Sequence, residues 1–372
     1  MTGGAGAGPR LPLASPLVKV AIIGGGVMGC ATALALTARG ADVVLVERAV
    51  PGAEASSAAA GILGAQVELH GRADDAALFV RAREAWRGWA LALRDASGID
   101  VGWRCNGILR VARDEAGSEE LAREVAWQRG KGMRAELLSG SEARGVEPEL
   151  AEGVLAAAHF PDDAQVDPPS LLRALMAILA RDPRAIVRTG TTVERLVVEG
   201  DRCVGVLLDP GELRADATVL AAGSWSSLVP GVPATVPTVR PVRGQIVLLD
   251  ERPPRLRVTV FGAGGYVVPR GDGRVLCGST MEHVGFRKEV TAGGVHSILA
   301  SALACVPSLE RATLAGSWSN FRPHAEGGAL VGASPLPGLV LATGHHRNGI
   351  LLAKVTADAA ADAVLAAQGL KS

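Results

Sequence analysis

One tyrosine, five phenylalanines and six tryptophans are all the aromatic residues in a chain of 372. Tyr266 is therefore the sole phenol available to any site that needs one. Cysteine is also scarce. Cys30, Cys105, Cys203, Cys277 and Cys305 are scattered, odd in number and without a C-x-x-C, which argues against a disulfide framework or a zinc ribbon and fits a reducing cytoplasm. No apolar run approaches the length of a membrane span. An excess of charge is missing as well: 38 basic and 38 acidic residues give a net charge of zero, so nothing in the charge points to nucleic acid or an anionic membrane. No histidine–carboxylate cluster has metal-ligand spacing, and no metal is expected. No internal repeat of solenoid period is present.

What is abundant is apolar residues, 48% of the chain, and glycine, at 47 positions. A chain this long with this much apolar surface suits two domains rather than one small core. Residues 1–17, rich in glycine and proline, read as a flexible N-terminal extension. The apolar part after Arg10 is too short and too broken by proline for a signal peptide.

The most informative stretch runs from Val18 to Glu47. An apolar run, Val20 to Ile23, leads into Gly24-x-Gly26-x-x-Gly29, then an alanine- and leucine-rich helical pattern, then a second apolar run closed by Glu47. Strand, glycine turn, helix, strand and acid is the layout that lets a helix N-terminus hold a dinucleotide pyrophosphate. Gly24 permits the tight turn, Gly26 lets the backbone approach the phosphates, and Gly29 lets the helix pack on the strand. Glu47 is placed to accept from ribose hydroxyls and would repel a 2′-phosphate, which points to FAD or NAD rather than NADP.

Downstream, Pro51 to Gly64 has no bulky side chain before Ile62, which suits either a backbone lying against a flat cofactor or an ordinary loop followed by an alanine-rich helical turn. Helical spacing covers Leu78 to Ser97, with Trp86 and Trp89 expected in the core, and also Glu119 to Gly130 and Ser141 to Glu147. Short strands are expected over Val101 to Val111. Asp167 followed by Pro168 and Pro169 starts another helix, because a proline N–H is dispensable in the first turn. Four β-rich runs follow between Ala185 and Ala222. Arg243 to Leu249, Arg257 to Phe261, Tyr266 to Pro269 and Val275 to Ser279 predict an antiparallel sheet distinct from the earlier β-α units. Val295 to Cys305 reads as a helix, Leu339 to Ala342 as a last strand, and Ile350 to Ala367 as a last helix.

Several of these stretches coincide with a known family. IIGGGVMG with Glu47, SSAAAGILGA at 56–65, VDPPSLLRAL at 166–175, VLAAGSWS at 219–226, PVRGQ at 241–245, YVVPR at 266–270, GSTME at 278–282, FRP at 321–323 and GHHRNGILLA at 344–353 occur in order from residue 18 to the C-terminus. By them the chain resembles the FAD-dependent D-amino acid and amine oxidase superfamily, and within it the glycine oxidases of thiamine biosynthesis. The resemblance implies an α/β fold: a Rossmann-like FAD-binding domain (18–83, 151–229 and 316–372) interleaved with an α+β substrate domain (84–150 and 230–315) built on a mixed or antiparallel sheet.

It also implies site residues. Arg322, before Pro323, matches the family's carboxylate-binding arginine, and a planar guanidinium can bond both carboxylate oxygens where lysine cannot. Tyr266 falls at the second carboxylate contact, Met281 on the substrate side of the flavin, and Arg347 in the loop beside flavin and substrate. Cofactor contacts are expected from Gly24, Gly26, Val27, Met28 and Gly29, and from Glu47 and Arg48. Ser56, Ser57, Ala60, Gly61 and Leu63 are expected along the small-residue stretch. Further on come Val193, Ala222, Gly223 and Trp225, then His346, Arg347, Asn348, Gly349 and Ile350. His345 and His346 invite a role as bases, which the family's chemistry does not require: hydride passes from the amine to flavin N5, the imine hydrolyses to an oxo-acid and ammonia, and O2 becomes H2O2. The expected partners are a small amino acid or amine and O2, and the family's frequent homotetramers imply an oligomer.

The chain departs from the family after Arg322. Glu326 replaces the usual aspartate, the usual proline is absent from His324 to Gly332, Lys354 replaces a common proline, and Gly264 aligns with a histidine at the substrate mouth. A sarcosine-type N-methyl amino acid, another D-amino acid, a non-oxygen electron acceptor, or a flavin protein without turnover are the alternatives these changes leave open.

Overall fold

A computed structural model describes residues 18–69 and 73–370; the expected extension over 1–17 lies outside them. The glycine fingerprint folds as strand β1 (Lys19–Ile23), helix α1 (Val27–Thr37) and strand β2 (Asp42–Val46). β1 pairs in parallel with β2 on one side and with Ala217–Leu220 on the other. Both faces of β1 are covered: Val20 and Ile22 pack on helices, and Ala21 and Ile23 pack on the strands Val193–Glu199 and Arg202–Leu208, which is why Val20 to Ile23 is an unbroken apolar run. The complete sheet has six strands, in the order Leu330–Ala333, Leu339–Thr343, Ala217–Leu220, β1, β2 and Ala185–Arg188, with only the first strand antiparallel to its neighbour.

A second sheet has eight strands, in the order Thr313–Ala325, Val239–Asp250, Arg274–Gly278, Gly265–Pro269, Thr259–Gly262, Ile108–Ala112, Ala156–Phe160 and Glu136–Ser139. It is mixed: Thr259–Gly262 and Ile108–Ala112 run parallel and the other pairs antiparallel. Val193–Glu199, Arg202–Leu208 and Glu212–Arg214 form a small antiparallel sheet.

The largest core joins the six-stranded sheet to α1 and the helices Ala73–Ser97, Pro168–Leu179 and Gly349–Ala366. Trp86 is fully buried there and donates through Nε1 to the Leu351 carbonyl at 2.9 Å. Its ring lies 4.7 Å from that of Trp89. A second core lies between the eight-stranded sheet and the helix Ala292–Cys305. Capping follows the sequence signals. Asp167 accepts from Ser170 N–H at 3.3 Å, and Ser139 with Glu142 forms a capping box.

Several elements differ from the sequence reading, among them the strands Glu136–Ser139, Ala156–Phe160 and Leu330–Ala333, which are absent from it. The helix expected from Leu78 begins at Ala73, with Asp74 and Asp75 in its positive first turn. Val101 to Val111 yields one strand, Ile108–Ala112, and an isolated bridge from Arg104 to Gln165. Thr313–Ala325, a strand of 13 residues, has no counterpart in the expectations because its Gly, Ser, Asn and Pro content hides the alternation. No helix among the described residues is long and apolar enough to cross a membrane.

Candidate active site

A cleft of about 370 Å³ runs from the α1 N-terminus, between the two large sheets, to Tyr266 and Arg322. At one end Gly24 has φ +104°, and a Cβ there would lie 2.5 Å from the Ala221 carbonyl oxygen. Gly26 caps α1 with no side-chain hydrogen bond, so the first turn presents its N–H groups to the cleft. Val27 N–H is instead held by Ser56 Oγ at 2.9 Å. The Glu47 carboxylate closes this end, accepting from Gly25 N–H at 2.7 Å and Ala49 N–H at 2.9 Å.

The middle of the cleft is lined by backbone and small side chains: Ala58 to Gly61 on one side, Ala222 and Gly223 on the other. Trp225 stacks with Phe286 at 5.2 Å and meets Phe321 edge-on at 5.9 Å, while the Arg48 guanidinium lies 4.0 Å over its ring. A dinucleotide with a flat ring system fits these walls. The glycine turn would hold its pyrophosphate, Glu47 its ribose, and the small-residue strap its ring. Gly29, Ser57 and Leu63 do not line the cleft. Gly29 packs against Gly24, where a Cβ would come within 1.9 Å of its carbonyl oxygen, and Leu63 is fully buried in the core.

At the far end, Arg322 donates to Ser279 Oγ at 2.6 Å and to the Thr280 carbonyl at 3.1 Å. Arg322 shares this end of the cleft with the Tyr266 phenol. Burial lowers its pKa, while Tyr266 and Glu68 pull the other way. Among the described residues no carboxylate forms an ion pair with it. Arg347 differs: its guanidinium pairs with Glu68 at 2.7 Å. This end of the cleft thus holds one compensated cation and one open to an anion.

His346 has φ +50°, the one positive φ outside glycine among the described residues, and its ring meets that of His324 at 4.9 Å. Burial first, then Arg322, His324, Arg347 and His283, push its pKa down to about 3. His345 is buried against Thr356 Oγ1 at 2.9 Å, and burial lowers its pKa to about 3 as well. Both imidazoles are neutral near pH 7. Asn348, Gly349 and Ile350 line the cleft at the last helix's start, and Val193 lines it near the adenosine end. Met281 lies outside the lining and is 51% exposed.

Residues that sequence reasoning did not single out also shape this end. Glu68 has no local signal, since its partner is 279 residues away. Ser279 and Thr280 stand in a quoted motif but carried no expected role. Arg243, 4% exposed, holds the loop after Gly278 by bonding Glu282, Glu289 and the Arg287 carbonyl. Burial works against the Glu282 charge, yet bonds from Arg243, Thr280 and Gln245 hold its pKa down to about 2.

Fold and cleft together define a protein that binds a dinucleotide on a Rossmann-like sheet, with a second sheet over the far end of the cleft. Comparison narrows this class. A family model described as FAD dependent oxidoreductase matches residues 19–363, and the chain belongs to that family. It is 37% identical to the glycine oxidase of Geobacillus kaustophilus (strain HTA426), over 93% of this chain and 92% of that protein. It is 35% identical to the bifunctional protein ThiO/ThiG of Nostoc sp., of which it spans 52%. The crystal structure of the Geobacillus kaustophilus glycine oxidase superposes with a TM-score of 0.88 at 35% identity, covering 95% of this chain and 96% of that one. The cofactor is therefore FAD, and the chain is an oxidoreductase of the amino acid and amine oxidase type.

Proposed function

We propose that this enzyme oxidatively deaminates glycine or a similarly small amino acid or amine, with O2 as electron acceptor. The observation that carries the reading is Arg322, a part-buried guanidinium with two neutral oxygen acceptors and no carboxylate partner, facing the cleft beside the only tyrosine. An amino acid carboxylate completes that arrangement, accepting from Arg322 and from the Tyr266 hydroxyl.

The chain's own residues bind and orient. Arg322 and Tyr266 fix the carboxylate. Ile246, in the cluster that Tyr266 packs against, adds apolar surface at the reacting end. His346, held neutral, adds no charge beside the amine. Arg347, paired to Glu68, stands at the cleft without competing for the carboxylate. Bound FAD supplies the two-electron acceptor; the protein supplies position and polarity. Glu47, Gly24, Gly26, Val27 and Met28 are the residues proposed to hold its adenosine and pyrophosphate, and Ala60, Gly61, Ala222, Gly223 and residues 346–350 its remainder.

We also read 18–83, 151–229 and 316–372 as the cofactor-binding unit and 84–150 with 230–315 as the substrate unit. The working form is taken to be a cytoplasmic homo-oligomer. The kinship to glycine oxidases and to ThiO/ThiG supports glycine and a link to thiamine synthesis.

The test is anaerobic titration of the purified yellow protein with glycine, sarcosine and D-alanine. Bleaching of the flavin band by glycine, and peroxide on readmission of air, is the expected result. A flavin that none of the three reduces would overturn the reading, and reduction without peroxide would replace O2 with another acceptor.

A further inference from the structure

We propose that Gly244 is a positioning residue for the carboxylate anchor, with Gly278 serving Tyr266 in the same way: the missing Cβ atoms decide where guanidinium and phenol lie. This rests on the reading of Arg322 as that anchor.

Gly244 is on the strand Val239–Asp250, which pairs with Thr313–Ala325. The register sets Arg322 opposite Val242 and Asn320 opposite Gly244, so the Arg322 side chain crosses diagonally to Gly244. A Cβ on Gly244 would lie 2.2 Å from Nη1, 2.4 Å from Nη2 and 2.5 Å from Cζ of Arg322. A relaxed contact needs about 3.5 Å, so the guanidinium would have to retreat by about 1 Å. From its edge, Ser279 Oγ and the Thr280 carbonyl hold it at 2.6 and 3.1 Å. A retreat breaks or stretches those bonds. Gly278 pairs with Ile246 on one side and Tyr266 on the other. A Cβ there would lie 2.7 Å from both Cζ and the hydroxyl oxygen of Tyr266.

Gly244 is not required by its backbone. Positive φ values occur at many glycines here, but not at Gly244 or Gly278. Gly244 stands in an extended strand that any residue can adopt and where glycine is a weak strand former. The obstruction at Gly244 is the far end of one side chain rather than backbone, so the fold can absorb a methyl group while the site cannot. Gly316, on the strand Thr313–Ala325, has nothing within 4 Å of a Cβ and serves as the control.

The experiment compares Gly244→Ala, Gly278→Ala and Gly316→Ala for flavin content, thermal midpoint, glycine KM and kcat. It adds the Kd for glycolate, a carboxylate without an amine, read from the visible flavin spectrum. Gly244→Ala is expected to keep its flavin and its thermal midpoint. Glycine KM and glycolate Kd should rise roughly 10- to 100-fold, as a misplacement of about 1 Å costs. Gly278→Ala should show the smaller rise of the two, and Gly316→Ala none. In an Arg322→Met background, adding Gly244→Ala should leave glycolate Kd unchanged, because the residue it acts through is gone. An unchanged KM in Gly244→Ala, while Arg322→Lys raises it, overturns the proposal and leaves the anchor reading standing. An unchanged KM in both overturns the anchor reading as well. An equal loss in the Arg322→Met background, or a Gly244→Ala protein that does not fold, also overturns it, since either makes Gly244 structural.

Discussion

The Arg270 guanidinium donates through Nη2 to the Ala60 carbonyl at 2.5 Å, across 210 residues of chain. Its Nη1 bonds the Gln165 side chain. Burial lowers its pKa to about 10, opposed by Asp167, so it remains charged near neutrality. Trp318 Nε1 donates to the Ala58 carbonyl at 3.0 Å. The strap from Ala58 to Gly61 therefore hangs by its carbonyls from the other sheet side, and its small side chains are free to line the cleft. Arg270→Met leaves two buried acceptors without their donor, at about 1–3 kcal/mol each. Purified Arg270→Met should carry less flavin than the parent and melt lower, and Trp318→Phe should show a smaller change in the same direction. Full flavin content with an unmoved thermal midpoint would contradict this.

Arg322→Lys should retain flavin and lose substrate. A single ammonium cannot bond Ser279 Oγ and the Thr280 carbonyl and still offer two parallel donors to a carboxylate. The loss expected for a partly desolvated charged contact is about 2–5 kcal/mol in glycine binding. Steady-state kinetics with glycine, beside the flavin-to-protein absorbance ratio, checks it. Near-normal KM would remove Arg322 from the site.

Glu68→Gln should change the preference of the pocket rather than the stability of the fold. The Arg347–Glu68 pair is 2.7 Å apart with side chains 31% and 10% exposed, and a partly solvated pair of this kind contributes no more than about 1 kcal/mol to stability. Without the carboxylate, Arg347 becomes a second uncompensated cation beside Arg322. Ligands with two carboxylates should then bind more tightly relative to ligands with one. Comparing malonate with glycolate by flavin spectral titration tests this; an unaltered ratio would mean that Arg347 does not face the ligand.

The sequence made the adenosine end plain and the reacting end only partly so, for a physical reason. β1, the glycine turn, α1, β2 and Glu47 are contiguous, and each glycine there answers a local backbone or packing demand. The helix from Pro168 was equally legible, because its cap and prolines are neighbours in the chain. The reacting end is assembled from distant pieces: Arg322 on one strand, Tyr266 on another, Ser279 and Thr280 in a loop, and Glu68 near the strap. Thr313–Ala325 shows no clean alternation, so the strand that carries Arg322 could be placed only through a motif. The roles of Gly244 and Glu68 depend on what lies across from them in space, and no periodicity reports that.

Glu47→Ala should weaken retention of the cofactor. The carboxylate bridges Gly25 N–H and Ala49 N–H at 2.7 and 2.9 Å, tying the glycine turn to the end of β2. Hydrogen bonds to a charged group contribute about 1.5–3 kcal/mol, and any ribose contact is lost as well. Dialysis against KBr followed by flavin titration should give a Kd for FAD roughly tenfold or more above the parent, that factor being about 1.4 kcal/mol. A parental Kd would show that Glu47 neither shapes the turn nor meets the ribose.

His345 makes stability depend on pH below neutrality. Its ring is buried against Thr356, and burial lowers its pKa from an ordinary 6.5 to about 3. Between those values the unfolded chain holds a proton on this residue and the folded chain does not. Stability therefore rises with pH across that window, and it falls as acid is added below pH 6.5, by at most about 1.36 kcal/mol per pH unit for one group. Glutamine at this position can still bond the Thr356 hydroxyl but does not titrate. The drop in unfolding free energy from pH 7.5 to pH 5, measured by urea denaturation, should be smaller in His345→Gln than in the parent by about 2 kcal/mol. His346 has a similarly lowered pKa, but it is present in both proteins and cancels in the comparison. Equal drops would mean that His345 takes up its proton in the folded state.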